Sequence, residues 1–268
     1  MLRSHQDSDQ DTALAEHPGP APGNDELHGN DEFPWDNFDS EWYLQHNYER
    51  LRDDDSRILE LLAEFFGGIG HRELKHGIDV GTGANLYPLL AMLPLCGRIT
   101  LRERAASNCK WLRHEIRKYS KVWEPYWDQL ARSPLYQPIG DPRWAVSERA
   151  RVERGNVFEL DRAAYDIGTM FFVAESITER LGEFERATRS FLRSLKPNAP
   201  FAAAFMRESH GYEVAGVRFP AVAITERDVR RCLQNAGVRK SHVETIDSAT
   251  PLRKGLAMML VMGWTGRR

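Results

Sequence analysis

The chain has 268 residues, enough for one α/β domain with a substantial core. A net charge of −3 gives no electrostatic case for nucleic acid or a membrane surface, and no apolar run approaches the roughly 20 residues that span a bilayer. Three cysteines, Cys96, Cys109 and Cys232, form no disulfide or metal pattern, so no metal is expected and a reducing cytoplasm suits them; the acidic N-terminus lacks the basic-then-apolar order of a secretory signal.

Residues 1–35 are rich in Asp, Glu, Gly and Pro and poor in large apolar side chains. Such a segment buries too little surface to offset its ordering entropy, and it reads as a disordered acidic tail before a domain spanning 36–268. Residues 36–70 form a helical cap. Capped by Asp36 to Asp39, one long helix is predicted as far as Phe66, with Tyr43, Leu44, Tyr48, Leu51, Ile58, Leu61, Leu62 and Phe65 at helical spacing and Gly67-Gly68 as its end.

The run HGIDVGTGANLYPLL, 76–90, is the stretch around which the rest of the domain is organised. Ile78-Asp79-Val80 has the length and branching of a buried parallel strand, Gly81-Thr82-Gly83 turns sharply, and Pro88 is tolerable in the first turn of the next helix. Unpaired N–H groups at that helix start favour a polar ligand.

Gly97 to Leu101 reads as a second strand ending in Arg102-Glu103-Arg104, with a helix from about Ala105. Residues 111–150 look like an insertion: four of the seven tryptophans fall there, with Tyr119, Tyr126 and Tyr136. A packing patch is favoured over a lid, because aromatics at helical spacing usually pack. Further strands are predicted at 151–154, 165–172 and 201–205, with an amphipathic helix at 179–195. Thr225 and Asp228 have capping-box spacing at the start of a last helix, which Gly237 ends. Two final strands, 238–246 and 256–264, have only a short loop between them and must pair antiparallel. The expected fold is a Rossmann-like, seven-stranded, mostly parallel sheet with helices on both faces and an antiparallel last strand.

Three cofactor classes use such a glycine turn. A phosphate loop needs Gly-Lys-Ser/Thr, which is absent, and a dinucleotide motif needs a third glycine where Leu86 stands. The remaining class binds S-adenosylmethionine (SAM). Glu103, about 20 residues past the turn, is placed to accept hydrogen bonds from ribose hydroxyls, although NAD enzymes also carry an acid there. Asn156, after the third strand, can contact adenine, and Val157 can cover its ring.

From about Phe38 to Trp264 the chain resembles the small-molecule methyltransferases typified by nicotinamide, phenylethanolamine and thioether S-methyltransferases. The resemblance rests most on Tyr-Leu-x-x-x-Tyr at 43–48 and on IDVGTGANLYPLL with its Tyr87. It implies that Tyr43 and Tyr48 close over SAM, with Gly81, Thr82, Gly83, Asn85 and Tyr87 around the methionine portion. It also implies Glu103 on the ribose, Arg104 and Asn108 near it, Asn156 and Val157 at the adenine, and Phe171 and Val173 on the strand-four side. Departures from the pattern are Glu103 and Asn156 in place of aspartates, Arg104 in place of an aromatic, and Asn198-Ala199 after Lys196-Pro197 in place of two glycines.

The same resemblance implies two catalytic acids that also bind substrate: Glu175 against an acceptor amine and Glu208 at a second amine-side position. It puts Tyr212 where an aromatic substrate stacks. The reaction expected is methyl transfer from SAM to the nitrogen of a small aromatic or heteroaromatic amine, leaving S-adenosylhomocysteine (SAH). O- or S-methylation, a SAM-binding subunit without turnover and an NAD(P) oxidoreductase are the alternatives. The protein is expected to act as a monomer on a small-molecule acceptor.

Overall fold

The computed structural model describes residues 27–69, 74–238, 240–247 and 256–266. Chain order begins with two short 3₁₀ turns, Asn30–Glu32 and Trp35–Asn37, followed by helices α1 (Ser40–Asn47) and α2 (Asp53–Gly67). The single long helix expected over this stretch is therefore two. Arg52 turns inward to pair with Asp54 at 3.1 Å and Asp55 at 3.3 Å. The carbonyls of Tyr48 and Arg50 accept the Tyr126 hydroxyl, each at 3.2 Å, instead of continuing a helical ladder. The apolar spacing runs through the break and conceals it.

Strand β1 (Leu74–Val80) leads through the glycine turn to α3 (Tyr87–Met92), and β2 (Cys96–Glu103) to α4 (Ala106–Lys118). The Trp-rich stretch supplies α5 (Glu124–Ala131) and α6 (Pro142–Arg149). Then come β3 (Ala150–Arg154), β4 (Ile167–Phe171), α7 (Leu181–Ser194), β5 (Pro200–Met206), a small hairpin β6 (Tyr212–Val214) and β7 (Val217–Phe219), α8 (Glu226–Asn235), β8 (Lys240–Ile246) and β9 (Met258–Trp264).

The main sheet has the order β3-β2-β1-β4-β5-β9-β8, with β9 antiparallel to both neighbours and the other pairs parallel. This is the sheet expected, reversed strand included. Side chains alternate across it: Phe201, Ala203 and Phe205 pack under α7 and α8, while Ala202, Ala204 and Met206 join the core under α2, α3 and α5. Every residue of β4 and β5 is buried, as parallel strands covered on both faces require. The Thr225–Asp228 capping box forms as its spacing predicts.

Trp123, Tyr126 and Tyr136 are fully buried, and Tyr126 stacks on Tyr87 at 5.8 Å. The Trp-rich stretch is a packing patch, tied down by Glu115, which accepts from Ser120 N, Ser120 Oγ and Trp123 Nε1 at 2.8, 2.9 and 3.0 Å. Only Trp144 is left standing in solvent among these tryptophans, 68% exposed.

Part of the stretch expected to be a disordered tail has a defined place on the domain. Residues 1–26 lie outside the described residues, but 27–35 run as a strap across the carboxyl edge of the sheet. Its acids find partners on the body: Asp31 with Arg104 at 2.8 Å, and Glu32 with Arg180 at 2.8 Å. Asp36, just beyond, accepts from Ala106 N at 2.6 Å and pairs with Arg154 at 3.5 Å. A compositional argument weighs only what a segment buries within itself, and these partners lie far away in the chain.

Candidate functional site

The glycine turn sits where β1 ends, at the point where the strand order switches direction. Gly81 has φ +68°, and a Cβ there would lie 2.5 Å from Val173 Cγ2, so both the backbone and the neighbouring wall demand glycine. Gly81 N–H donates to Arg102 O at 2.7 Å and Gly83 N–H to Glu103 Oε2 at 2.9 Å, binding the turn to the end of β2. Glu103 Oε1 accepts from Ala105 N at 2.8 Å. Burial raises the pKa of Glu103, and the N–H groups of Ala105 and Gly83 oppose that rise. Behind the turn, Asp79 is buried and accepts from Thr169 Oγ1 at 2.7 Å; burial pushes its pKa up to about 7.

Above the turn lies a cavity open to solvent, with about 100 Å³ of enclosed space. Of the residues singled out from the sequence, Gly81, Thr82, Gly83 and Asn85 form its floor, and Glu103, Arg104 and Asn108 its β2 side. Asn156 and Val157 line it from β3, Phe171 and Val173 from β4, Tyr43 and Tyr48 from the cap, and Tyr212 from the hairpin. Asn108 accepts from Ser40 Oγ at 2.6 Å, which joins the cap to α4. Asn156 spends its Oδ1 on Phe158 N at 3.2 Å, capping a 3₁₀ turn.

Three expected residues stand elsewhere. Tyr87 is fully buried behind the wall, edge-on to Tyr48 at 6.0 Å and Phe171 at 5.7 Å, because the first turn of α3 points it into the core. Glu175 is also fully buried and does not line the cavity; its Oε1 accepts from Met206 N at 2.9 Å and Ser176 Oγ at 3.2 Å, so it links the end of β4 to the end of β5. Glu208 is exposed on the surface with φ +55°, its N–H bound to Ile224 O and its carboxylate 3.3 Å from Arg207 Nε. The turn after β5 aims it away from the cavity.

The strap and hairpin contribute lining residues that sequence reasoning missed. Asn30, Trp35 and Phe38 line the cavity from the strap side, and Phe219 stacks between Trp35 at 5.3 Å and Tyr212 at 5.6 Å. The clustered aromatics of Phe33-Pro34-Trp35 and Phe38 were the available signal. Two lining residues carry polar atoms without a partner: Asn85 Nδ2 and both amide atoms of Asn30 are buried and unbonded. A buried polar group left so costs about 1–3 kcal/mol, which a ligand's hydrogen bonds would offset. Among the described residues no cluster of three or more His, Cys, Asp or Glu could hold a metal, and no helix is long and apolar enough to cross a membrane.

No protein-family model matches the chain, and no curated protein matches it. Solved structures do share its fold. The N-methyltransferase NodS from Bradyrhizobium japonicum, in complex with SAH, is 13% identical over 86% of this chain and 94% of that one, with a TM-score of 0.52. A SAM-dependent methyltransferase from Aquifex aeolicus is 18% identical over 85% and 99%, with a TM-score of 0.50. The [4+2]-cyclase SpnF is 14% identical over 80% and 82%, with a TM-score of 0.52. At such identities the likeness is one of architecture: the chain has the class I methyltransferase fold.

Proposed function

We propose that this protein is a SAM-dependent methyltransferase that moves a methyl group to the nitrogen of a small aromatic or heteroaromatic amine. One observation carries the reading: Tyr43, Tyr48, the Gly81–Asn85 turn, Glu103 and Val157 surround a single cavity at the strand-order switch. The residues fit the cofactor. Gly81 permits close approach, Asn85 Nδ2 is an unbonded donor at the floor, and Glu103 places a buried carboxylate acceptor on the β2 side. Leu86, where a dinucleotide motif needs glycine, is fully buried, and the reversed β9 separates this sheet from the ordinary dinucleotide fold.

When bound, SAM supplies a sulfonium methyl for in-line displacement. What the chain contributes is alignment and exclusion of water. The rings of Tyr43, Tyr48 and Phe171 attract a cation by about 0.5–2 kcal/mol. Tyr212, stacked on Phe219, and Val173 border the space left for a planar acceptor. A neutral amine needs no strong base, so an exposed Glu208 is no obstacle. Glu175 acts as a positioning residue, holding Ser176 at the cavity wall.

Calorimetry with SAM, SAH and NADH side by side tests the cofactor. An amine panel incubated with SAM, read by mass spectrometry for the gain of one methylene unit, tests the reaction. Binding of NADH without SAM or SAH would overturn the assignment. Because SpnF shares the fold and is a cyclase, binding of SAM without any methylated product would remove the methyl-transfer claim.

A further inference from the structure

Asn30 is 1% exposed, lines the cavity, and finds no hydrogen-bond partner for either atom of its amide. Its backbone, by contrast, is fully engaged: the N–H donates to Glu183 Oε2 at 2.8 Å, and the carbonyl accepts Trp35 Nε1 at 2.7 Å. A residue held this firmly, with a carboxamide left unbonded in the wall of a cavity, has the form of a ligand contact. Resting on the proposed function, we infer that Asn30 reads the donor–acceptor edge of the cofactor's adenine, and that the strap exists in part to deliver it.

The placement of the strap supports adenine over the acceptor. Its anchors on the β2–β3 side, Asp31 to Arg104 and Asp36 to Ala106 N and Arg154, lie on the half of the cavity that holds Glu103, Asn156 and Val157. Trp35 ties the strap to the hairpin through Phe219, but Asn30 itself is held by Glu183 of α7, and one turn further on Arg186 lies over the Phe158 ring at 3.9 Å, next to Asn156 and Val157. The chemistry also fits. Adenine presents an amino donor beside a ring-nitrogen acceptor, and a carboxamide meets both with one planar group, which neither a carboxylate nor an ammonium can do. Asn156 gives one lone pair of its Oδ1 to the turn at Phe158, which fixes its orientation, and Asn30 adds a second amide whose two polar atoms are both unbonded.

The test is SAH binding by calorimetry and unliganded Tm for the wild type, Asn30→Leu and Asn30→Ala. Leucine keeps the volume and removes both hydrogen-bonding atoms; alanine keeps the strap free of any misfit that leucine introduces. The expected result is a dissociation constant for SAH raised about tenfold or more in both variants, equivalent to about 1.4 kcal/mol. The unliganded Tm of Asn30→Leu should not fall, since a buried amide without a partner is replaced by an apolar side chain. Variants that bind SAH within about twofold of wild type would overturn the role of Asn30 and leave the methyltransferase reading standing. A wild-type protein that does not bind SAH would sink that reading first.

Discussion

Glu103 Oε2 accepts the Gly83 N–H at 2.9 Å, so the acid at the end of β2 holds the shape of the turn at the end of β1. Its other oxygen takes Ala105 N–H at 2.8 Å. The Asn108 side chain and the Arg104 N–H reach the same carboxylate, so a bound ribose would share its oxygens with the groups that brace the turn.

Glu103→Gln should therefore do two kinds of damage. The amide NH₂ must face either Gly83 N–H or Ala105 N–H, donor against donor, in a site only 6% exposed. The expected loss is about 1–3 kcal/mol of folding stability, read by urea denaturation. SAH affinity should fall at least about tenfold by calorimetry, as the turn loosens and an acceptor is lost. Unchanged affinity would remove Glu103 from the cofactor site.

Asp79 makes stability depend on pH. Burial raises its pKa to about 7, against about 4 in an unfolded chain. Between those values the folded chain holds a proton that the unfolded chain has released. This group's contribution to stability is thus fully present below about pH 4 and is lost as pH rises towards 7. An asparagine in its place would accept the Thr169 hydroxyl without titrating. The stability advantage of Asp79→Asn over wild type should widen from pH 5 to pH 7 and then level off, by at most about 1.4 kcal/mol per pH unit. Thermal melts of both proteins over that range check this, and a gap independent of pH would refute the buried-carboxylate account.

The strands of this fold could be read because each carries its own evidence. Ile78-Asp79-Val80 and Phe201 to Phe205 are apolar runs of strand length, and Thr225 with Asp228 caps α8 within four residues of chain. What escaped depended on distant partners. The strap is held by Asp31 to Arg104 and Glu32 to Arg180, and the break after α1 by the Tyr126 hydroxyl, none of which leaves a local trace. The β6–β7 hairpin turns at Ala215-Gly216, both at positive φ, without the Asn-Gly or Asp-Gly that announces such turns. The site divides the same way. Residues at strand ends, such as Glu103 and Val157, reach the cavity because strand direction determines it. Glu175 and Glu208 lie in the loops beyond, where one turn decides between cavity, core and solvent.

The contact between Gly81 and Val173 allows a sharper test, because two distinct costs meet there. An alanine at position 81 must hold φ near +68°, a strain of about 1–2 kcal/mol for a residue with a Cβ. It must also push that Cβ against Val173, whose Cγ2 and Cγ1 would lie 2.5 and 2.7 Å away. Overpacking of this kind costs about 1–3 kcal/mol more, and the branched valine has few rotamers through which to yield. Val173→Ala removes the obstruction and leaves the backbone strain untouched. In a double-mutant cycle read by urea denaturation, Val173→Ala should relieve about 1–3 kcal/mol of the Gly81→Ala defect, the clash alone. The residual defect, about 1–2 kcal/mol, is then the strain of the turn itself. Strictly additive costs would mean that the turn and the β4 wall move apart freely, and a cavity with so loose a floor could not align a methyl donor.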